Sequence, residues 1–165
     1  MGFAEHKPTH ERASDEAFLD PMHSLGYLAR INFRMFSRLL EQRTLKYGIS
    51  GGQWRLLRVL WEHDNITQRE LSERLGTREA TNVVAVRSLV KAGLAKRTRC
   101  SDDKRRVFIS LTPKARRLRA RLMPIVAELN QAAVAGIDPT QVAIARSVLA
   151  QTYANLERQF DAEEE

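Results

Sequence analysis

The sequence predicts a mainly α-helical chain interrupted by one small β-hairpin, and three observations carry that reading. Apolar residues recur at helical spacing in long segments toward both ends of the 165 residues. Two boxes, Ser50-Gly51-Gly52-Gln53 and Thr67-Gln68-Arg69-Glu70, mark helix starts in the middle, where side chains at both ends of a box satisfy free backbone N–H groups. Between the last two helical patterns, LAKRTR and RRVFISL are strand-like and flank a charged tip, with Val107, Ile109 and Leu111 on one face at period two.

The elements follow in order. Residues 1–20 are polar and are expected to form a disordered tail. Asp20-Pro21 reads as an N-cap followed by proline at the first helical position. The helix behind it carries Leu25, Leu28, Ile31, Met35, Phe36, Leu39 and Leu40 at helical spacing and stops at Gly48. A second helix, opened by the Ser50 box, supplies Trp54, Leu57, Leu60 and Trp61. QRELSERLG forms a short third helix ending at Gly76, and REATNVVAVRSLVKAGL a fourth, ending at Gly93. Two helices joined by a tight glycine turn make a helix-turn-helix. Thr112-Pro113 starts a long helix with Leu118, Leu122, Ile125 and Leu129 in one stripe and an expected kink at Pro124. Asp138-Pro139 starts the last, where Val142, Ala145, Leu149, Thr152 and Leu156 form a seam able to pack against another helix. The apolar area of the terminal helices exceeds what one small layer covers, which predicts a dimer.

Charge narrows the function. The net charge is +7, yet residues 1–20 sum to −3 and residues 157–165 to −4, leaving 24 basic against 10 acidic groups in the body. A cationic body with acidic ends points to a polyanion, with nucleic acid ahead of membrane and a merely solvated basic surface as the bland alternative. No apolar run approaches the ~18 residues that cross a bilayer, and MGFAEHKPTHERASDEAF lacks an apolar signal core, so a cytoplasmic protein is expected. The single cysteine, Cys100, fits a reducing compartment and excludes an internal disulfide framework. Cys100 and the histidines show no metal-ligand spacing, and no cofactor motif appears. No Ser/His/Asp or Cys/His arrangement and no phosphate-cradling glycine loop stands out, so the chain is not expected to be an enzyme.

From about Leu25 to Leu156 the sequence resembles the MarR family of bacterial transcriptional regulators. The matching stretches are LGYLARINFRMFSRLL, GISGGQWRLLRVL, TQRELSERLGTREATNVVAVRSLVKAGLAKR and, most specifically, DDKRRVFISLTPKARRL, which looks like the family's wing. The resemblance implies a winged helix-turn-helix homodimer: a dimerisation helix over 21–48, a DNA-binding domain over 49–112, and dimerisation helices over 113–162. It also implies a ligand-responsive protein, in most members a repressor, on a double-stranded operator. Val83-Val84 departs from the family, where many members carry polar or basic residues.

Candidate contacts follow from these readings. The recognition helix is expected to begin at Arg78 after Thr77 as N-cap, with Ala85, Val86 and Leu89 turned inward. Arg78, Ala80, Thr81, Val84, Arg87 and Ser88 then face the groove, unless Val83 or Val84 belongs to the core. Thr67 and Gln68 are expected to hold a phosphate at their helix N-terminus. Asp103 and Arg105 are spaced to brace the wing tip, leaving Lys104 and Arg106 for phosphate or a minor groove while Arg97 and Arg99 follow the backbone. By the resemblance, a small effector would lodge near the first two helices, where Tyr27, Arg30, Arg34 and Trp54, with Phe33 and Met35 nearby, suit an aromatic acid or its coenzyme A thioester. The alternative there is a solvated arginine stripe beside core aromatics. Cys100 reads as a bystander, since peroxide-sensing relatives carry their cysteine in the first helix. Competing identities are an effector-independent architectural DNA-binding protein and a winged-helix regulator of the PadR type; residues 21–46 argue against the latter.

Overall fold

The computed structural model describes residues 20–101, 103 and 106–164. The expected polar tail therefore lies outside the described residues, save Asp20. Asp20 caps a single 3-10 turn, Pro21–His23, and Ser24 then caps helix α1 (Leu25–Thr44), its hydroxyl accepting from the Tyr27 N–H at 3.2 Å. The predicted start at Asp20-Pro21 thus shifts inward, because Ser24 takes an extended backbone and supplies a second cap. At the other end Thr44 is buried and donates to the Ile49 carbonyl at 2.9 Å, and one 3-10 turn (Leu45–Tyr47) carries the chain to Gly48.

Both predicted capping boxes form. Ser50 and Gln53 exchange their hydrogen bonds at the start of α2 (Gly51–Glu62), and Thr67 and Glu70 at the start of α3 (Gln68–Arg74). Gly76, at φ 61°, makes the turn from α3 into α4 (Glu79–Lys91), a left-handed conformation that costs glycine nothing. Strands β2 (Ala95–Arg99) and β3 (Val107–Leu111) pair antiparallel, with Arg97 opposite Ile109. The sheet gains a third strand that periodicity did not predict. That strand, β1 (Ile66–Thr67), pairs with the other edge of β3, placing Ile66 opposite Ile109. Helices α5 (Pro113–Ala133) and α6 (Pro139–Glu164) complete the chain, and α5 continues through Pro124.

The residues up to Ile125 form one compact unit and those from Val126 a second. In the first unit the core joins Leu56, Leu57 and Leu60 of α2 to Leu71 of α3, Val86 and Leu89 of α4, Ile109 and Leu111 of β3, and Leu122 of α5, all buried. Two Trp rings of α2, Trp54 and Trp61, meet edge to face at 5.7 Å, and the Trp61 indole N–H donates to the Ala115 carbonyl at 3.0 Å. In the second unit Asp138 caps α6 as expected, accepting from the Thr140 and Gln141 N–H groups. Ile144, Leu149, Tyr153, Leu156 and Phe160 along α6 are each more than half exposed in the single chain.

One carboxylate ties the sheet to the helices around it. Asp64 accepts from the Leu111 N–H at 2.8 Å, from the Asn65 N–H at 2.8 Å and from the Arg116 guanidinium at 2.6 Å. Asn65 adopts φ 56°, a conformation asparagine tolerates and most residues do not. Partial burial alone would raise the Asp64 carboxyl; the hydrogen bonds from Leu111, Arg116 and Asn65, with the charge of Arg116, outweigh it and hold the group below its ordinary value. Its contribution to stability is therefore complete above the unfolded carboxyl's range and fades as pH falls through the lower folded value. Asp64→Ala is expected to cost about 1–3 kcal/mol in urea unfolding at neutral pH, since it strands the Leu111 N–H. That gap between variant and wild type should narrow as the pH is taken below about 4, where wild type loses the same contacts.

Candidate nucleic-acid interface

Helix α4 is built to show one face and hide the other. Asn82, Val86 and Leu89 are buried, while Arg78, Ala80, Thr81, Val84 and Arg87 are exposed, Val84 to 74%. The exposure of Val84 removes it from the core; Val83 and Ala85 are half-buried. The helix begins one residue later than predicted, with Arg78 as an N-cap that makes no side-chain cap bond. Thr77 was the expected cap, but its hydroxyl instead accepts from Asn82 Nδ2 at 2.7 Å. The second hydrogen of that amide goes to Ser72 Oγ at 3.0 Å, so one buried group links α3, the turn and α4. Ser88 also departs from its expected role: it is half-buried, and its hydroxyl accepts from Gln53 Nε2 at 2.9 Å. A hydroxyl committed to α2 cannot face a groove, so the exposed set loses Ser88.

The start of α3 corrects a second expectation. Thr67 and Gln68 are both buried. The Thr67 N–H and hydroxyl donate to Glu70 Oε2 at 2.7 Å each, and the Glu70 N–H returns to Thr67 Oγ1 at 3.1 Å. Gln68 donates to Glu79 Oε1 at 2.9 Å and accepts from Arg97 at 3.4 Å. The side chains of Thr67 and Gln68 and the Thr67 and Glu70 N–H groups are thus used internally. Hydrogen bonds from the Thr67 N–H and hydroxyl, helped by the charges of Arg106 and Arg74, hold the Glu70 carboxyl below its ordinary value.

The hairpin presents its cations along β2. Lys96, Arg97 and Arg99 are exposed, while Ala95 at the strand's base is buried. Arg106 at the start of the returning strand is exposed and sits over the Phe108 ring at 5.3 Å. Lys104, Arg105 and therefore the Asp103–Arg105 brace fall outside the described residues. Cys100 is a half-buried thiol whose backbone N–H donates to the Arg106 carbonyl at 3.0 Å, closing the hairpin. Among the described residues no ion pair or hydrogen bond involves the side chain of Arg78, Arg87 or Arg99, so their charge is open to a ligand. A protruding helix with a short apolar patch among arginines, beside a cationic hairpin, can do one thing well: lie against a duplex, reading bases with the helix and holding phosphates with the strand.

The predicted effector residues are not gathered into one pocket. Trp54 is 8% exposed and belongs to the core with Trp61, which takes it out of any ligand wall. Arg30 lies over the Tyr27 ring at 5.2 Å. Arg34 lines a groove of about 320 Å³ with Ile31, Asn32, Met35 and Arg38, every one of them on α1. Such a groove is an open helix face. Sequence reasoning missed Asn82 and Glu79, and the bond of Gln53 to Ser88, the polar contacts that fasten α4 to its neighbours. Glu79 had a local signal, an acid in the first turn of a helix; the Gln53–Ser88 bond joins residues 35 apart, and the Asn82 bonds to Ser72 and Thr77 depend on how the turn folds, which periodicity does not show.

Comparison with known proteins matches this architecture. The MarR family model covers residues 49–107. An HTH-type transcriptional regulator of Staphylococcus aureus is 31% identical over 109 residues, spanning 66% of this chain and 75% of its own. The organic hydroperoxide resistance transcriptional regulator of Bacillus subtilis is 30% identical over 61% of this chain and 69% of its own. A MarR transcriptional regulator from Methanosarcina mazei superposes with a TM-score of 0.73 at 25% identity, covering 81% of this chain and 96% of that one. Because Val84 is 74% exposed, Val84→Glu should leave the melting midpoint close to wild type, its cost within about 0.5 kcal/mol. If the exposed α4 face meets a duplex, the same change would bring a carboxylate toward phosphate and is expected to weaken DNA binding at least about tenfold in fluorescence anisotropy.

Proposed function

The chain belongs to the MarR family of DNA-binding transcriptional regulators, and on that premise we propose that it is a homodimeric repressor of a pseudo-palindromic operator, released by a small anionic effector. Its role is regulatory, not catalytic. The observation that carries the proposal is the pairing of the exposed α4 face with the cationic β2 strand. Arg78, Ala80, Thr81, Val84 and Arg87 lie in the major groove, with arginine on guanine and the apolar side chains against thymine methyl groups. Arg97, Arg99, Lys104, Arg105 and Arg106 meet phosphates or the adjacent minor groove, and the Asp103–Arg105 brace shapes the tip.

Segments 21–48 and 113–162 serve dimerisation, and 49–112 binds DNA. The exposed apolar residues of α6, and separately Leu25, Phe33 and Met35 of α1, each above half exposure, support a second copy as their cover. Two-fold symmetry then sets half-sites about one helical turn, ~10 bp, apart. No helix among the described residues is long and apolar enough to cross a membrane, and a cytoplasmic location fits the reading.

An aromatic carboxylate or its coenzyme A thioester is the effector class we favour, held by Arg34 on the open α1 groove and by Arg30 beside Tyr27. Bound, it would stabilise a spacing of the two reading helices that misfits the operator. Calorimetry with aromatic acids and their coenzyme A esters is expected to show weaker binding to Arg30→Ala than to wild type; equal affinity would remove Arg30 from the site.

The central test is duplex binding across salt. Arg105→Ala is expected to weaken binding to every sequence alike and to lower the slope of log affinity against log salt by about one. An unchanged slope would show that the wing touches no phosphate. A nuclease footprint confined to a single asymmetric half-site would contradict the dimeric operator, and equal affinity for selected and random duplex would favour the architectural alternative.

A further inference from the structure

Gln68 is a residue of the predicted contact set that the fold withdraws from solvent, and its bonding has a direction. It is 8% exposed and stands where β1 hands the chain to α3. On one side is Arg97, a guanidinium that only donates; on the other is Glu79, a carboxylate that only accepts. A glutamine amide has one group of each kind, so its orientation is forced: Oε1 toward Arg97 at 3.4 Å, Nε2 toward Glu79 at 2.9 Å. Leucine or glutamate at this position can make at most one of these contacts.

The three residues belong to the parts that must be set relative to each other. Arg97 lies on β2, opposite Ile109 of β3, and Ile109 is opposite Ile66 of β1, directly before the α3 box. Glu79 is the first residue of the recognition helix, at an end that has no side-chain cap of its own. An end without a cap can fray or swing, and base readout depends on the helix entering the groove at one angle.

We infer that Gln68 is a positioning residue for sequence recognition, locking the N-terminus of α4 to the wing strand so that helix and hairpin engage one duplex in fixed register. The inference rests on the DNA-binding reading. It differs in what it predicts: Gln68 touches no DNA, so losing it should damage discrimination between sequences more than attraction to phosphate.

The experiment is a charge-swap cycle on the full-length protein. An operator selected from random duplex by the wild type is compared with a scrambled duplex by anisotropy, for wild type, Gln68→Glu, Glu79→Gln and the double variant. Gln68→Glu sets two carboxylates against each other and is expected to lower the operator-to-scrambled affinity ratio about tenfold, the scale of one mismatched base pair. Glu79→Gln keeps an acceptor oxygen and should stay near wild type. The double variant restores both contacts with the amide and the carboxylate exchanged. The carboxylate introduced at position 68 then accepts from Arg97 and from the amide introduced at position 79, and the ratio should recover to within about threefold of wild type. Recovery separates positioning from a general weakening of the fold, which the second substitution would not mend. A wild-type ratio in Gln68→Glu, or a double variant no better than that single variant, would overturn the inference. So would a parallel loss on operator and scrambled duplex, which would make Gln68 a phosphate contact. A wild type that binds neither duplex would instead bring down the DNA-binding reading itself.

Discussion

The arrangement depends on one buried amide. Asn82 spends both Nδ2 hydrogens inside the helix-turn-helix, on Ser72 of α3 and Thr77 of the turn. Either bond left unmade would expose a desolvated donor at a cost of about 1–3 kcal/mol, so the amide holds α3, turn and α4 in one relation. Apolar contacts alone would be less exacting: Val86 and Leu89 are a narrow seam on which a helix can roll by a fraction of a turn. Gln53 on Ser88 and Gln68 on Glu79 restrain the same helix further along and at its start. With its inner side fastened by three amides, α4 can leave Val84 and two arginines bare on the outer side without losing its place.

This division explains what was readable in advance. Helix caps are local chemistry, and Ser50–Gln53, Thr67–Glu70 and Asp138 all appear where spacing put them. The buried face of β3 likewise follows from the alternation of Val107, Ile109 and Leu111, of which Ile109 and Leu111 are buried in the core. Periodicity also separated the inner from the outer face of α4. What it could not show was which hydroxyl or amide a distant residue would claim. Ser88 and Gln53 are 35 residues apart, and even Thr77, only five residues from Asn82, gives its hydroxyl to that amide instead of capping α4. β1 escaped for the same reason: a two-residue strand has no pattern of its own and exists only because β3 offers a free edge. Trp54 illustrates the opposite error, in which an aromatic near arginines suggested a ligand wall and edge-to-face packing on Trp61 took it into the core.

The acidic groups near the candidate interface fit the same logic. Carboxylates beside a DNA-facing surface would repel phosphate, yet each of these has work within the protein. Glu70 completes its capping box, Glu79 accepts from Gln68, and Glu73 meets Arg69 at 2.8 Å on an exposed stretch of α3. The last pair is worth little to stability. Its effect is electrostatic: it cancels a negative charge locally, while Arg78, Arg87 and Arg99 keep theirs uncancelled among the described residues. Positive charge is thereby left standing on α4 and β2, which favours an approaching polyanion at those elements.

A single copy of this surface would still be a modest binder. One helix of thirteen residues offers few side chains to base edges, and a good bidentate contact discriminates by only about 1–3 kcal/mol. Joining two copies makes the second half-site encounter intramolecular, which multiplies affinity without a new contact provided the spacing matches the duplex. The requirement for matched spacing is also the weakness an effector can exploit. On the proposed reading, a ligand on α1 need not touch the α4 helices; it need only bind better to a dimer whose half-sites are out of step. In the proposed ligand-released dimer, rigid placement of each α4 on its own wing would make release efficient, because a loosely held helix would absorb the misfit.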